Sequence, residues 1–332
     1  MRMLTILLIA LSCLWGGYWV VGARALDRGV TAWLDALPTK GWRAGYSDLA
    51  VQGFPNRFDL TITDPHLADP VTGVGWDAPF VQALALSYKP YHIIVVLPQT
   101  QTLSLPHDRV TVTGDTLRAS AEFRPIAALP LEKLVLALDR IRVSGTGWGF
   151  GFETGRFAIQ QADPNGTVQH LGAEVTALRP DPDLRARLDP GSSLPDAVAT
   201  LHLDATATLD APLDRTAIET KALRITAVSL KQLRLVWGPL SLEAAGTLRV
   251  GANGLPEGQI LLKAAGWQQM LTLAAEAGWL DPVLIPAIAG GLAVLAAASP
   301  DPAELEVPLG FADGLVSLGP IPLGPAPSLR FE

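Results

Sequence analysis

The chain has 332 residues, 49% hydrophobic and 17% charged, with a mean hydropathy of +0.29. That much apolar material excludes an intrinsically disordered chain and suffices for one large core or two smaller ones. The formal net charge of -7, with no run of Lys and Arg, excludes nucleic acid as the expected partner, and the single cysteine, Cys13, excludes an internal disulfide or a cysteine zinc cluster.

Residues 3–21 carry no charge and few polar side chains, Thr5 and Ser12 among them. They are long enough to cross a hydrocarbon core of ~30 Å as a slightly tilted helix. Arg2 precedes the run, and Trp15, Tyr18 and Trp19 gather at its far end, as an interfacial aromatic belt would. A cleaved signal peptide is the competing reading, with Ala23-Arg24-Ala25 as the cleavage site. The length of the run and the bulky aromatics at its end favour an uncleaved anchor, with residues 1–24 as the span, a short cytoplasmic tail and the body outside the cytoplasm. Ala25, Leu26, Val30, Trp33, Leu34 and Leu37 then recur at helical spacing, so 25–40 reads as an amphipathic connecting helix that Pro38 ends.

Past Gly41 the period changes to two. Phe58, Leu60 and Ile62 alternate with Arg57, Asp59 and Thr61, and Asp64-Pro65 reads as a closing turn. The same alternation recurs over 80–88, 110–123, 131–143, 197–209, 223–237 and 240–250. Gly114-Asp115 and Asp313-Gly314 sit between pairs of such segments as two-residue hairpin connections, so pairing is expected to be antiparallel. A helical insertion over 267–298 interrupts the pattern, with Asp281-Pro282 opening its second arm. That arm, 282–300, is uncharged and long enough to span a membrane, but Pro286, Gly290 and Gly291 favour a helix packed against the sheet. The Pro-rich tail over 319–327 should run as an extended edge. The expected fold is therefore mainly β, with an N-terminal transmembrane helix, a large antiparallel curled sheet of groove or sandwich type over 41–332, and a late helical hairpin.

No catalytic motif is present. His66, His92, His107, His170 and His202 are scattered without metal-ligand spacing, no Gly-x-Ser-x-Gly elbow exists, and Asp181-Pro182-Asp183 reads as a turn. No enzyme activity, cofactor or metal is expected. Alternate glycines at 145, 147, 149, 151 and 155, with Trp148, Phe150 and Phe152 between them, strip one face of a strand. That bare face is expected to meet the 282–300 arm, which makes Trp148, Gly149, Phe150, Gly151, Ile285, Ile288 and Leu292 the candidate groove and lid. Patterning alone favours a core filled by side chains over an open groove.

The stretch from Gly45 to Asp59, Gly-Tyr-Ser-Asp-Leu-Ala-Val-Gln-Gly-Phe-Pro-Asn-Arg-Phe-Asp, resembles the signature of a bacterial membrane-anchored envelope family known as domain of unknown function 2125. The anchor, the 267–298 helical segment and the ending Asp313-Gly314-Leu315-Val316-Ser317-Leu318-Gly319-Pro320 are similar to that family's layout. The resemblance implies a bacterial inner-membrane protein with a periplasmic body and carries no activity. Gly246-Thr247-Leu248-Arg249-Val250 followed by residues 254–262 is similar to a repeat of AsmA-like envelope proteins, which implies lipid carried along a β-groove. The functions that follow are lipid or acyl-chain handling in an apolar groove, or alternatively a non-catalytic envelope scaffold with a filled core. The expected partners are the membrane, lipid and other envelope proteins.

Overall fold

The computed structural model describes residues 2–220, 223–278, 283, 285–297 and 304–330. The chain separates into two compact units. The first comprises Met1–Phe123 with Ile141–Thr146, and the second Arg124–Arg140 with Gly147–Glu332.

The first unit begins with α1 (Arg2–Ala36), one unbroken helix through both the apolar run and the amphipathic segment, closed by a 3-10 turn over Pro38–Lys40. Eleven strands follow: β1 (Arg43–Gly45), β2 (Asp48–Gln52), β3 (Arg57–Thr63), β4 (His66–Asp69), β5 (Val74–Asp77), β6 (Phe80–Leu86), β7 (Lys89–Val96), β8 (Thr100–Leu105), β9 (Asp108–Thr113), β10 (Thr116–Phe123) and β11 (Leu131–Gly145). Only the end of β11 belongs to this unit. The strands form two antiparallel ladders, β1-β4-β5-β8-β9-β11 and β2-β3-β6-β7-β10.

The ladders are two halves of the same bent strands. Arg43↔Ala68 in one and Asp48↔Thr63 in the other share a register frame, as do His66↔Asp77 and Arg57↔Leu86. Each strand therefore runs through a corner instead of reversing. The corner is stitched by backbone bonds such as Ser47 N–H to Thr63 O (2.9 Å), Asp64 N–H to Pro79 O (2.8 Å) and Gly114 N–H to Gln99 O (2.9 Å). Two sequence expectations are corrected here. Asp64-Pro65 and Gly114-Asp115 are corners, and β10 pairs with β7 while β9 pairs with β8 and β11, so 110–123 is no hairpin. Asp313-Gly314 does form one. Asp313 and Gly314 take φ of 52° and 72°, as a type I′ turn requires, whereas Gly114-Asp115 offers the residues in reverse order.

Alternation buries Phe58, Leu60 and Ile62 of β3 while Asp59 and Thr61 stay half-exposed. Leu34 and Leu37 pack on Leu60 and Ile62, with Leu26 and Val30 alongside, as the helical spacing predicts; Trp33 instead faces solvent. Higher on α1, the Tyr18 hydroxyl donates to Ser87 O (2.6 Å) and Trp19 Nε1 to Arg57 O (2.6 Å). Trp19 also stacks on Phe58 and meets Phe54 edge-on. The helix beyond these contacts, residues 3–14, is exposed throughout.

The second unit is a meander of long strands: β12 (Trp148–Gln161), β13 (Val168–Pro180), β14 (Val198–Leu209), β15 (Ile225–Trp237), β16 (Leu240–Val250), β17 (Pro256–Ala265), β18 (Glu304–Ala312), β19 (Leu315–Leu318) and β20 (Ile321–Pro325). Each pairs antiparallel with the next, and the proline-rich β20 lies at the edge beyond β19. Among the described residues four helices accompany them: α2 (Pro182–Leu188), α3 (Arg215–Thr220), α4 (Trp267–Glu276) and α5 (Ile285–Ala297). The Asp181-Pro182 pair is not a turn. Asp181 caps α2, accepting the Leu184 N–H at 2.8 Å, and Pro182 takes the first helical position. The expected Asp281-Pro282 start of the late helix lies outside the described residues.

Candidate functional site

The glycine strand is β12, and its neighbour is α2. Asp181 N–H donates to Gly149 O (2.9 Å), and Phe150 lines a cavity of about 200 Å³ with Leu178, Leu184, Leu188, Val198 and Trp237. Gly149 is buried and Gly151 half-buried, while Trp148 stacks on Phe150 at 6.4 Å. The arm residues sit elsewhere. Leu292 is buried with Ala264, Trp267, Ala296, Leu305 and Val307, Ile288 packs on that cluster, and Ile285 is half-buried. The structure thus places the two halves of the expected groove in separate clusters, one on β12 and one on β17 and β18.

A larger space lies under α3, in a place the sequence did not single out. A cavity of about 510 Å³ is walled by Ile159 of β12, Gln169 and Leu171 of β13, Ala207 and Leu209 of β14 and Ile225 of β15. Leu213, Ala217, Ile218 and Leu223 cover it from the α3 segment. The register explains why these positions share a face, since Ile159 opposes Leu171, Gln169 opposes Ala207 and Leu209 opposes Ile225. α3 is held over the sheet by its Asp214 cap, which accepts the Ala217 N–H (2.9 Å). Two backbone bonds to the 124–131 loop also hold it, Arg215 N–H to Ala128 O and Leu131 N–H to Leu213 O. The volume falls within the ~300–1,000 Å³ range of small-molecule sites, and the wall is almost wholly aliphatic.

Gln169 is the polar exception. Its side chain is 2% exposed, Nε2 donates to Gly166 O (3.0 Å), and Oε1 has no hydrogen-bond partner. A buried acceptor left unsatisfied costs about 1–3 kcal/mol.

The charged groups of this unit are structural in geometry. Asp189 is fully buried and accepts from Ser193 N–H (2.9 Å), Ser193 Oγ (3.0 Å) and Leu194 N–H (2.9 Å), with Arg185 at 3.4 Å. Burial alone would raise its carboxyl, but these donors and the guanidinium outweigh that and hold it below the ordinary carboxylate range. The loop so fixed carries Leu194 into a cluster with Leu240 and Leu273. His170 pairs with Asp204 (2.7 Å), and in the first unit His92 pairs with Ser120 (2.9 Å). Among the described residues no three His, Cys, Asp or Glu side chains group closely enough to hold a metal ion.

One helix among the described residues, α1, is long and apolar enough to cross a membrane; a membrane anchor and a signal sequence both meet that description. No curated protein and no solved structure matches the chain. A family model described as an uncharacterized protein conserved in bacteria matches residues 19–327, beginning within α1 and running to the proline-rich edge strand. Over nearly its whole length, then, the chain belongs to the DUF2125 family.

Proposed function

We propose that this protein is an inner-membrane-anchored envelope module that takes up the acyl part of a lipid in the cavity beneath α3. The observation that carries the reading is the 510 Å³ aliphatic space between α3 and strands β12 to β15. Burial of each methylene there is worth about 0.8 kcal/mol. Apolar walls give such a site affinity for chains in general and little discrimination of their length.

The anchor reading rests on α1. Cleavage after Ala25 would remove Tyr18 and Trp19, whose hydrogen bonds and ring contacts hold the loop before β3, and Ala23, which is buried. Retention therefore keeps part of the first unit's own packing. Arg2, at the end of α1 opposite the aromatic belt, supports a body on the periplasmic side.

The test is direct. Protein extracted from membranes in mild detergent is analysed for bound lipid, and its binding of a fluorescent fatty acyl probe is measured. Stoichiometric lipid and saturable binding, both lost when the cavity is filled, are expected. Absence of lipid together with absence of probe binding would overturn the reading and leave a scaffold with a filled core.

A further inference from the structure

Resting on the reading of α1 as an anchor, we infer that the first unit dips a second, non-helical surface into the bilayer, formed by Phe54, Leu86 and Tyr88. Phe54 and Tyr88 are 62% and 63% exposed, and Leu86 is 38% exposed. Their position is set by α1. The Phe54 ring lies against the Gly16 position and meets Trp19 at 5.4 Å between centroids, while the Ser87 carbonyl, next to Tyr88, holds the Tyr18 hydroxyl. Both loops therefore stand at the level of residues 16–19, where the helix is still uncharged.

Length decides how deep that level is. Arg2 bounds the apolar run on one side, and the body meets the helix from Gly16 onward, so residues 2–15 are free of it and extend about 21 Å at 1.5 Å per residue. A hydrocarbon core is ~30 Å thick. The shortfall of about 9 Å matches residues 16–21, which run alongside the body, so spanning draws the body's edge into the lipid by about that amount. Interfacial segments bury apolar side chains ~5–10 Å at the headgroup boundary, and aromatic rings with a polar tip prefer that depth. The surface is thus matched to a bilayer, and its occupant is lipid rather than a protein partner.

The full-length chain carrying Cys13→Ser serves as background for single-cysteine variants at Leu8, Phe54, Tyr88 and Val71, each labelled with an environment-sensitive fluorophore. They are reconstituted into phosphatidylcholine and phosphatidylglycerol vesicles that carry a nitroxide near the headgroup end of the acyl chain. Val71 is 90% exposed in another loop of the unit and reports water. Labels at positions 54 and 88 are expected to show blue-shifted emission and several-fold stronger quenching than the label at 71. If the label at 8 is quenched while 54 and 88 behave like 71, the helix spans and the inference is overturned. If the label at 8 is also unquenched, the anchor reading falls with it.

Discussion

Filling the cavity under α3 from both walls separates an empty site from a packed core by the sign of the stability change. Ala207 on β14 and Ala217 on α3 are 6% and 8% exposed and both line the space, so Ala207→Leu with Ala217→Leu adds three carbons to each wall. Each added carbon that enters vacant apolar volume contributes about 0.8 kcal/mol, so the pair has an upper limit of about 5 kcal/mol of stabilisation, and restricted rotamers reduce this to about 1–3 kcal/mol. For a unit of this size that is a rise of roughly 2–10 °C in Tm, readable by calorimetry on lipid-free protein. The same variant should lose the acyl probe. A fall in Tm by a similar amount would mean that the space is already occupied by side chains, because overpacking a filled core costs about 1–3 kcal/mol. Unchanged probe binding in a stabilised variant would move the lipid site elsewhere and refute the reasoning.

Three further outcomes are expected. Gly246→Ala should destabilise the second unit by about 1–3 kcal/mol in denaturant titration, because a Cβ there runs into the Gln259 carbonyl and the Ile260 Cα of the paired strand β17. Asp189→Ala leaves the Ser193 and Leu194 N–H groups without their acceptor and should cost about 2–4 kcal/mol. In the unaltered protein the folded-state pKa of Asp189 lies below the unfolded value of about 3.9, so its contribution is present above that pH and is lost as pH falls through the folded pKa; Asp189→Ala should flatten the acid limb of the stability curve. A reporter fused after Glu332 should be active only outside the cytoplasm, and N-terminal sequencing should find residues 3–21 retained; a cytoplasmic signal or a chain starting at Leu26 would contradict the single uncleaved span.

Periodicity was readable wherever one face of an element is buried by its own neighbours. Phe58, Leu60 and Ile62 announce β3, Leu26, Val30, Leu34 and Leu37 announce the docking stripe of α1, and Asp313-Gly314 announces its hairpin, because each signal is local. The corners were misread for the same reason. Asp-Pro and Gly-Asp report local backbone preference, and that preference is shared by a bend that continues the strand and a turn that reverses it. The cavity left no local trace. Its wall spans from Ile159 to Ile225, and what brings those residues together is the register of four strands. The glycine pattern of β12 was legible as a pattern, but the sequence could not say that α2, beginning just beyond the partner strand β13, packs against Phe150, on the side chains that alternate with Gly149 and Gly151.

The cavity itself follows from a mismatch of lengths. In the first unit a one-sided sheet of short strands meets α1, which is long enough to bring Leu26, Val30, Leu34 and Leu37 across it and leaves a smaller apolar space of about 220 Å³ beside Gly22 and Leu26. In the second unit β12 to β15 are 12 to 14 residues long, or about 40 Å at ~3.3 Å per residue. The helix over that end, α3, has 6 residues and reaches about 9 Å. With alanine at 207 and 217 on facing walls, a helix that short brings too little side-chain volume to fill the face it covers. Where α5 provides 13 residues, Leu292 and Ala296 meet Leu305 and Val307 and Val307 is 2% exposed, so the same kind of sheet packs fully. Of these spaces the one under α3, where the cover is shortest, is larger than those under α1 and α2. Lengthening the cover is not needed to close it; two larger side chains at 207 and 217 supply the missing volume, which is why their effect on stability and on bound lipid should run in opposite directions.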